Sequence, residues 1–195
     1  MSILTDRAPD HVEVGGVLHP INTDFRAGIR FELAILSEKA NTEELLHLYY
    51  PKGLPYDLNE AVGRVLWFYQ CGDREPGDGK GAVKSGQAYD FEQDADAIYS
   101  SFMVAYGIDL STAALHWWVF RKLLFGLPPE TPFMQRIHYR TADTAGLPKE
   151  LKKHHEKMKA QYALKSRSGK RETLEERNQR MRDYVAKRFS DTEKA

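Results

Sequence analysis

The sequence has little cysteine and no long hydrophobic run. Its 195 residues include one cysteine, Cys71, which excludes an intramolecular disulfide and fits a reducing, intracellular compartment. No apolar run approaches the roughly 18 residues that a membrane-spanning helix needs. The first residues, MSILTDRAPDH, do not place a basic segment before an apolar one, so we expect no secretory signal. These features together predict an intracellular protein that does not contact a membrane.

Recognisable catalytic and metal-binding motifs are also lacking. The seven histidines form no H-E-x-x-H pattern, and the adjacent His154 and His155 would point about 100° apart on a helix. No G-x-S-x-G surrounds a serine, and the glycine-rich stretch 72–86 lacks the spacing of a phosphate-binding loop. Cys71 ends a predicted helix, where the negative end of the helix dipole disfavours a thiolate. We therefore predict no catalytic residue, no cofactor and no metal, in a protein that is not an enzyme.

The net charge of zero hides an asymmetry between the two parts of the chain. Residues 149–195 hold 15 Lys or Arg and 8 Asp or Glu, which gives +7, while residues 1–148 hold 13 and 20, which gives −7. A basic C-terminal part could contact nucleic acid, an acidic protein partner, or the acidic body of its own or a sister chain. Because acids are interspersed among the bases, a solvated helical surface or a protein partner is favoured over nucleic acid.

The apolar pattern of the first 71 residues predicts one hairpin followed by three helices. Residues 11–22 alternate around Gly15-Gly16, a dipeptide that permits the positive φ values of a two-residue turn. Each helix is predicted to begin at a side chain that can cap a helix N-terminus, namely Thr23 or Asp24, Thr42, and Asp57. In the first helix the predicted buried stripe is Phe25, Ile29, Leu33 and Leu36.

Residues 89–127 hold the strongest apolar clusters. Asp90 with Gln93 predicts the capping box of a helix that ends at Gly107 and turns Asp94 toward solvent. The predicted buried residues of that helix are Phe91, Ala95, Ile98, Phe102 and Tyr106. A second helix, apolar nearly all round, is predicted from Asp109 or Ser111 to Gly126, as the partner of the first in an antiparallel helical hairpin.

These patterns predict a mostly α protein: a compact multi-helix domain with an N-terminal β-hairpin and a charged C-terminal helical extension. We place the core domain at residues 1–145, with a flexible loop at 72–86, and the partly flexible extension at 146–195. Shorter helices are predicted over Phe133–Tyr139 and Lys149–Tyr162, and a last charged helix after the linker at Lys165–Lys170.

Five segments of the chain together resemble a known family, the "gene product fifteen" family of tailed bacteriophages and prophages. The segments are HPINTDFRAGIRFE (His19–Glu32), FYQCG (Phe68–Gly72), YDFEQDADAIYSSFMVAYGIDL (Tyr89–Leu110), LHWWVFRKLLFGL (Leu115–Leu127) and HHEKMKAQYAL (His154–Leu164). The resemblance covers roughly residues 12–165 and leaves Arg167–Ala195 unmatched.

The resemblance implies a non-enzymatic protein of the phage tail module in the host bacterial cytoplasm, similar to tail assembly chaperones. The implied partner is the tape-measure protein or the major tail protein, and a homo-oligomer is possible. Long amphipathic helices of a tape-measure protein would aggregate if left bare, and an apolar surface could cover them. The partner-binding candidates are the aromatic residues Trp117, Trp118, Phe120 and Phe125 and the basic residues Lys152, Lys153 and Lys157.

Two alternative functions use the same features. A structural connector or minor virion component would form a ring, with the hairpin pairing between subunits. A nucleic-acid-binding regulator would use the basic C-terminal part, and its binding would weaken steeply with salt.

Overall fold

An N-terminal hairpin followed by seven helices makes up the described part of the computed structural model, residues 4–37, 41–72 and 88–165. The strands are β1 His11–Val14 and β2 Val17–Pro20. The helices are α1 Phe25–Ser37, α2 Thr42–Tyr49, α3 Leu58–Tyr69, α4 Ala95–Tyr106, α5 Trp117–Phe125, α6 Pro132–Thr141 and α7 Lys149–Gln161. The prediction of a mostly α-helical protein with an N-terminal hairpin is confirmed.

The chain divides into two compact units. The described residues of unit 1 are 4–37, 41–72 and 114–123, and those of unit 2 are 88–113 and 124–165. The core domain predicted at 1–145 and the extension predicted at 146–195 stay predictions. Apart from Gly72, the predicted loop at 72–86 lies outside the described residues, as does the predicted last helix beyond residue 165.

The hairpin of unit 1 turns at Gly15 and Gly16, whose φ values are 57° and 75°. Both values lie in the left-handed region that a two-residue hairpin turn requires, so the predicted turn is confirmed. Val14 pairs with Val17 across the turn, and Val12 and Val14 are buried. The N–H of Gly15 donates to the Glu60 carboxylate at 2.8 Å, which joins the hairpin to the start of α3.

Helix α1 buries a different face from the predicted one. Phe25 is buried as expected, but Phe31 and Ile35 are its other large buried apolar residues, whereas Ile29 and Leu33 are only half-buried. The reason is tertiary, because the indole of Trp117 lies directly against Gly28. A glycine lets the ring approach the backbone and so turns this side of α1 toward the core.

The helix caps of unit 1 depart from prediction at one position. Helix α2 is capped by Asn41, one residue before the predicted Thr42, through a reciprocal capping box with Glu44. Asn41 Oδ1 accepts the Glu44 N–H at 2.8 Å. Asp57 caps α3 as predicted, since its carboxylate accepts the Glu60 N–H at 2.9 Å.

Helix α5 begins later than predicted, at Trp117 rather than at Asp109 or Ser111. Asp109 instead accepts hydrogen bonds from the N–H and the hydroxyl of Ser111, at 2.8 and 2.6 Å, which closes a local turn. Within unit 1, the N–H of Trp117 donates to the carbonyl of Thr23 at 2.7 Å. This backbone pairing holds the residues before α5 in an extended conformation. The prediction that the second helix of an antiparallel helical hairpin starts at Asp109 or Ser111 is therefore wrong.

Unit 2 packs α4 against α6 and α6 against α7. Asp90 accepts the Gln93 N–H at 3.0 Å, but this bond closes a turn, and the regular helix starts only at Ala95. Two predicted side-chain orientations are wrong here. Asp94 was predicted to face solvent but is fully buried, and Ala95 was predicted to be buried but is exposed. Gly107 ends α4 with a left-handed φ of 64°, as predicted.

Candidate partner-binding surfaces

Three of the predicted aromatic candidates lie inside unit 1. Trp117 and Phe120 are 0% exposed and Trp118 is 4% exposed. The two indole N–H groups donate to the carbonyls of Tyr69 at 2.8 Å and Phe68 at 2.7 Å. They thereby satisfy carbonyls in the last turn of α3 that have no partner within that helix. In the folded chain these three rings therefore stabilise the core, and their predicted binding to a partner stays untested.

A buried polar cluster lies beside these rings. The Tyr69 hydroxyl donates to the carboxylate of Glu32, which is 3% exposed. Burial, with the charges of Glu32 and Cys71, raises the pKa of Tyr49 well above its ordinary value, and the Arg121 charge only partly opposes this. Glu32, Tyr49 and Tyr69 are buried, while Cys71 and Arg121 are half-buried, so the cluster belongs to the packing of unit 1.

The residues that fix the fold of unit 2 centre on the buried Asp94. Arg140 forms a two-armed ion pair with this carboxylate at 2.6 and 2.8 Å, and Arg136 adds a third contact at 3.1 Å. Burial alone would raise the pKa of Asp94, but the hydrogen bonds and charge of Arg140, the Asp90 N–H and Arg136 hold it below its ordinary value. The ion pair ties the start of α4 to α6 and leaves the opposite side of α4 facing solvent.

That opposite side of α4 is apolar. Tyr99 is 40% exposed, Met103 is 39% exposed and Val104 is 77% exposed. Tyr99 and Met103 lie one turn apart, at i and i+4, and therefore on one side of the helix. Large apolar residues grouped on a surface helix are typical of a place where another helix or chain binds. We call Ala95, Tyr99, Met103 and Val104 the α4 face.

The remaining predicted candidates are exposed and also belong to unit 2. Phe125, at the end of α5, is 49% exposed, although its ring also contacts Tyr89 edge-on, with centroids 5.9 Å apart. Lys152, Lys153 and Lys157 are all exposed on α7. Helix α7 carries five lysines and two glutamates, so its exposed side is basic. All four side chains are exposed, and their binding to a partner stays a prediction.

The α4 face was not predicted, because the predicted helix had a single apolar stripe. Ile98 and Phe102 are buried as predicted, which accounts for one side of α4. Tyr99 and Met103 form a second apolar row, each one residue beyond a buried position, and that repeat was visible in the sequence. A helix with two apolar sides needs a second covering element or a partner.

In residues 4–37, 41–72 and 88–165, no three His, Cys, Asp or Glu side chains group so as to hold a metal ion. Over the same ranges, none of the helices is long and apolar enough to cross a lipid bilayer.

By its fold, the chain is a mostly α-helical protein with an N-terminal β-hairpin. Its exposed surface includes the apolar α4 face and the basic side of α7. The chain belongs to the Bacteriophage Gp15 protein family, which matches residues 4–164. This is a family of phage structural and morphogenesis proteins. Among curated proteins and among solved structures, no match to the chain was found.

Proposed function

We propose that this protein is a non-enzymatic tail assembly chaperone of the host bacterial cytoplasm, which binds amphipathic helices of the tape-measure protein, the tail-tube protein, or both. The observation that carries the proposal is the exposed apolar α4 face in a member of a phage structural family. An amphipathic helix that would aggregate when bare can bury its own apolar side against such a surface.

The second part of the proposed surface is the basic side of α7, with Phe125 as a further apolar contact. Lys152, Lys153 and Lys157 can pair with acidic residues that border the apolar stripe of an amphipathic helix. Charges of this kind mainly speed and orient the encounter, while the apolar residues supply most of the affinity.

Co-expression with the tape-measure protein of the same phage tests the proposal. The wild-type chain should keep that protein soluble and co-purify with it. A buried apolar side chain contributes about 1.5–3 kcal/mol, so Val104→Asp should weaken the complex at least about tenfold. Tyr56→Asp, at a fully exposed position in unit 1, is the matched control and should bind normally.

A variant with Lys152, Lys153 and Lys157 all changed to Glu should associate more slowly and lose the salt dependence of the wild-type association rate. A tape-measure protein that is equally soluble with and without the wild-type chain would contradict the chaperone function. So would stoichiometric amounts of the chain in finished virions.

The hairpin favours a second candidate function, a ring-forming connector. Val17 and Leu18 are 57% and 68% exposed, and in the described part of the chain the sheet has only the two strands β1 and β2. Open strand edges can pair with a neighbouring subunit, although Pro20 lacks the N–H that one edge would need. Sedimentation showing a closed oligomer that dissociates in the Leu18→Lys variant would support this function, and a monomer at all concentrations would exclude it.

A further inference from the structure

The apolar α4 face lies among carboxylates. Asp96 is exposed on the same side of the helix as Tyr99 and Met103. A second carboxylate comes from the turn after α4, where Asp109 accepts a hydrogen bond from the Tyr99 hydroxyl at 3.2 Å. Hydrogen bonds from the hydroxyl and the N–H of Ser111 hold the pKa of Asp109 below its ordinary value, so it is charged at neutral pH. Acids from two different segments therefore lie beside the same apolar residues.

Few basic residues accompany these acids. Glu92, exposed in the turn before α4, adds a third carboxylate. Over residues 88–113 the sequence contains five Asp or Glu and no Lys or Arg. One base comes from elsewhere in unit 2, since the backbone of Lys165 is hydrogen-bonded to the side chain of Gln93 at 2.8 and 3.0 Å. The three exposed or partly exposed acids outnumber that base, so the surroundings of the α4 face are acidic.

We propose that the α4 face selects amphipathic helices whose apolar stripe is bordered by Lys or Arg, and discriminates against those bordered by Asp or Glu. This inference rests on the proposed function and names the chemistry of the helices that are bound. Opposite charges across an interface orient the encounter, and like charges that face each other suppress wrong partners. The aliphatic stems of Lys and Arg can also lie along Met103 and Val104 while their charged ends reach the carboxylates.

Two synthetic peptides test the selection by fluorescence anisotropy. Both carry the same row of leucines and the same cross-link on the far side, which holds them helical. Lysines border the leucines in one peptide and glutamates in the other. The full chain is used with Lys152, Lys153 and Lys157 changed to Gln, which reduces binding of the glutamate peptide to α7.

The expected preference follows from the number of exposed ion pairs. One such pair changes affinity by about 1.5- to 5-fold, so the lysine peptide should bind about tenfold more tightly at low salt. At 1 M salt the screening length is about 3 Å, and the preference should fall below about twofold.

Single variants in the same background locate the selection on α4. Asp96→Lys should weaken binding of the lysine peptide at least about fivefold and strengthen binding of the glutamate peptide. Asp96→Asn should weaken the lysine peptide about twofold. The matched control Glu13→Lys makes the same change of charge on β1 and should leave both affinities within about twofold. Val104→Ser removes an apolar contact without changing the charge, and should weaken the lysine peptide at least about fivefold.

Several results would overturn the proposal. One is equal affinity for the two peptides, or a preference for the glutamate peptide. Another is an equal effect of Asp96→Lys and Glu13→Lys on the lysine peptide. A third is unchanged binding of that peptide in Val104→Ser, which would place it at acids elsewhere on the chain.

Failure of the charge selection and failure of the chaperone function give different results. If the chain keeps the tape-measure protein soluble but shows no preference between the peptides, only the charge selection is wrong. If it prefers the lysine peptide through α4 but leaves the tape-measure protein insoluble, the selection stands and the chaperone function is wrong.

Discussion

Asp94 is a fully buried carboxylate that pairs with Arg140 and Arg136 in unit 2, and its replacement by asparagine tests whether this ion pair holds α4 to α6. The substitution keeps the shape of the side chain and removes its charge. Arg140, whose side chain is only 9% exposed, then lies buried without its counter-charge. Breaking a buried ion pair from one side costs about 3–5 kcal/mol. For a chain of this size, a loss of about 3 kcal/mol lowers Tm by about 6–12 °C.

The Asp94→Asn substitution should also change how the free energy of unfolding depends on pH. Because the folded-state pKa of Asp94 is lowered, its stabilising contribution is fully present above the unfolded-state value of about 3.9. That contribution is lost as the pH falls from there through the folded-state pKa. The wild type should therefore lose stability in this acid range, and Asp94→Asn should lose less, since it has no carboxylate to protonate.

Urea unfolding followed by circular dichroism measures both effects. The matched control is Asp96→Asn, which removes an exposed acid two residues away and should change stability by no more than about 0.5 kcal/mol. A loss below about 1 kcal/mol in Asp94→Asn, or equal losses in the two variants, would refute the assignment of Asp94 as the residue that holds α4 to α6.

Two further predictions concern unit 1. Gly28→Ala should destabilise the chain by about 1–3 kcal/mol, because the new Cβ would lie 2.7 Å from Cζ3 of Trp117. Gly63→Ala on α3 should instead stabilise the chain by about 0.5–1 kcal/mol, because a Cβ there meets nothing within 4 Å. If the urea midpoints of the two variants move in the same direction, the packing argument is contradicted. Tyr50→Phe should cost about 1 kcal/mol in urea unfolding, since it removes the buried 2.9 Å hydrogen bond to the carbonyl of Ala61, and an unchanged midpoint would show that this bond adds nothing.

The local elements of the fold were largely predictable, because each depends on neighbouring residues. The Gly15-Gly16 turn, the Asp57 cap and the Gly107 helix end all formed as the sequence predicted. The candidate surfaces were predictable only in part. Lys152 is exposed as a charged helix residue should be, whereas Trp118 proved to be a core residue. Aromatic composition identifies strong apolar contacts, but it cannot distinguish contacts within the chain from contacts with a partner.

Short-range periodicity, turn residues and motif strings were enough to predict the helical class, the hairpin and the family. Which sides of the helices are buried depends instead on contacts between distant parts of the chain. Asp94 faces inward because Arg136 and Arg140, more than 40 residues away, supply its counter-charges. Gly28 faces inward because Trp117 fills the space that a side chain would occupy. Such contacts join residues far apart in the chain, so no periodicity within a single helix can specify them.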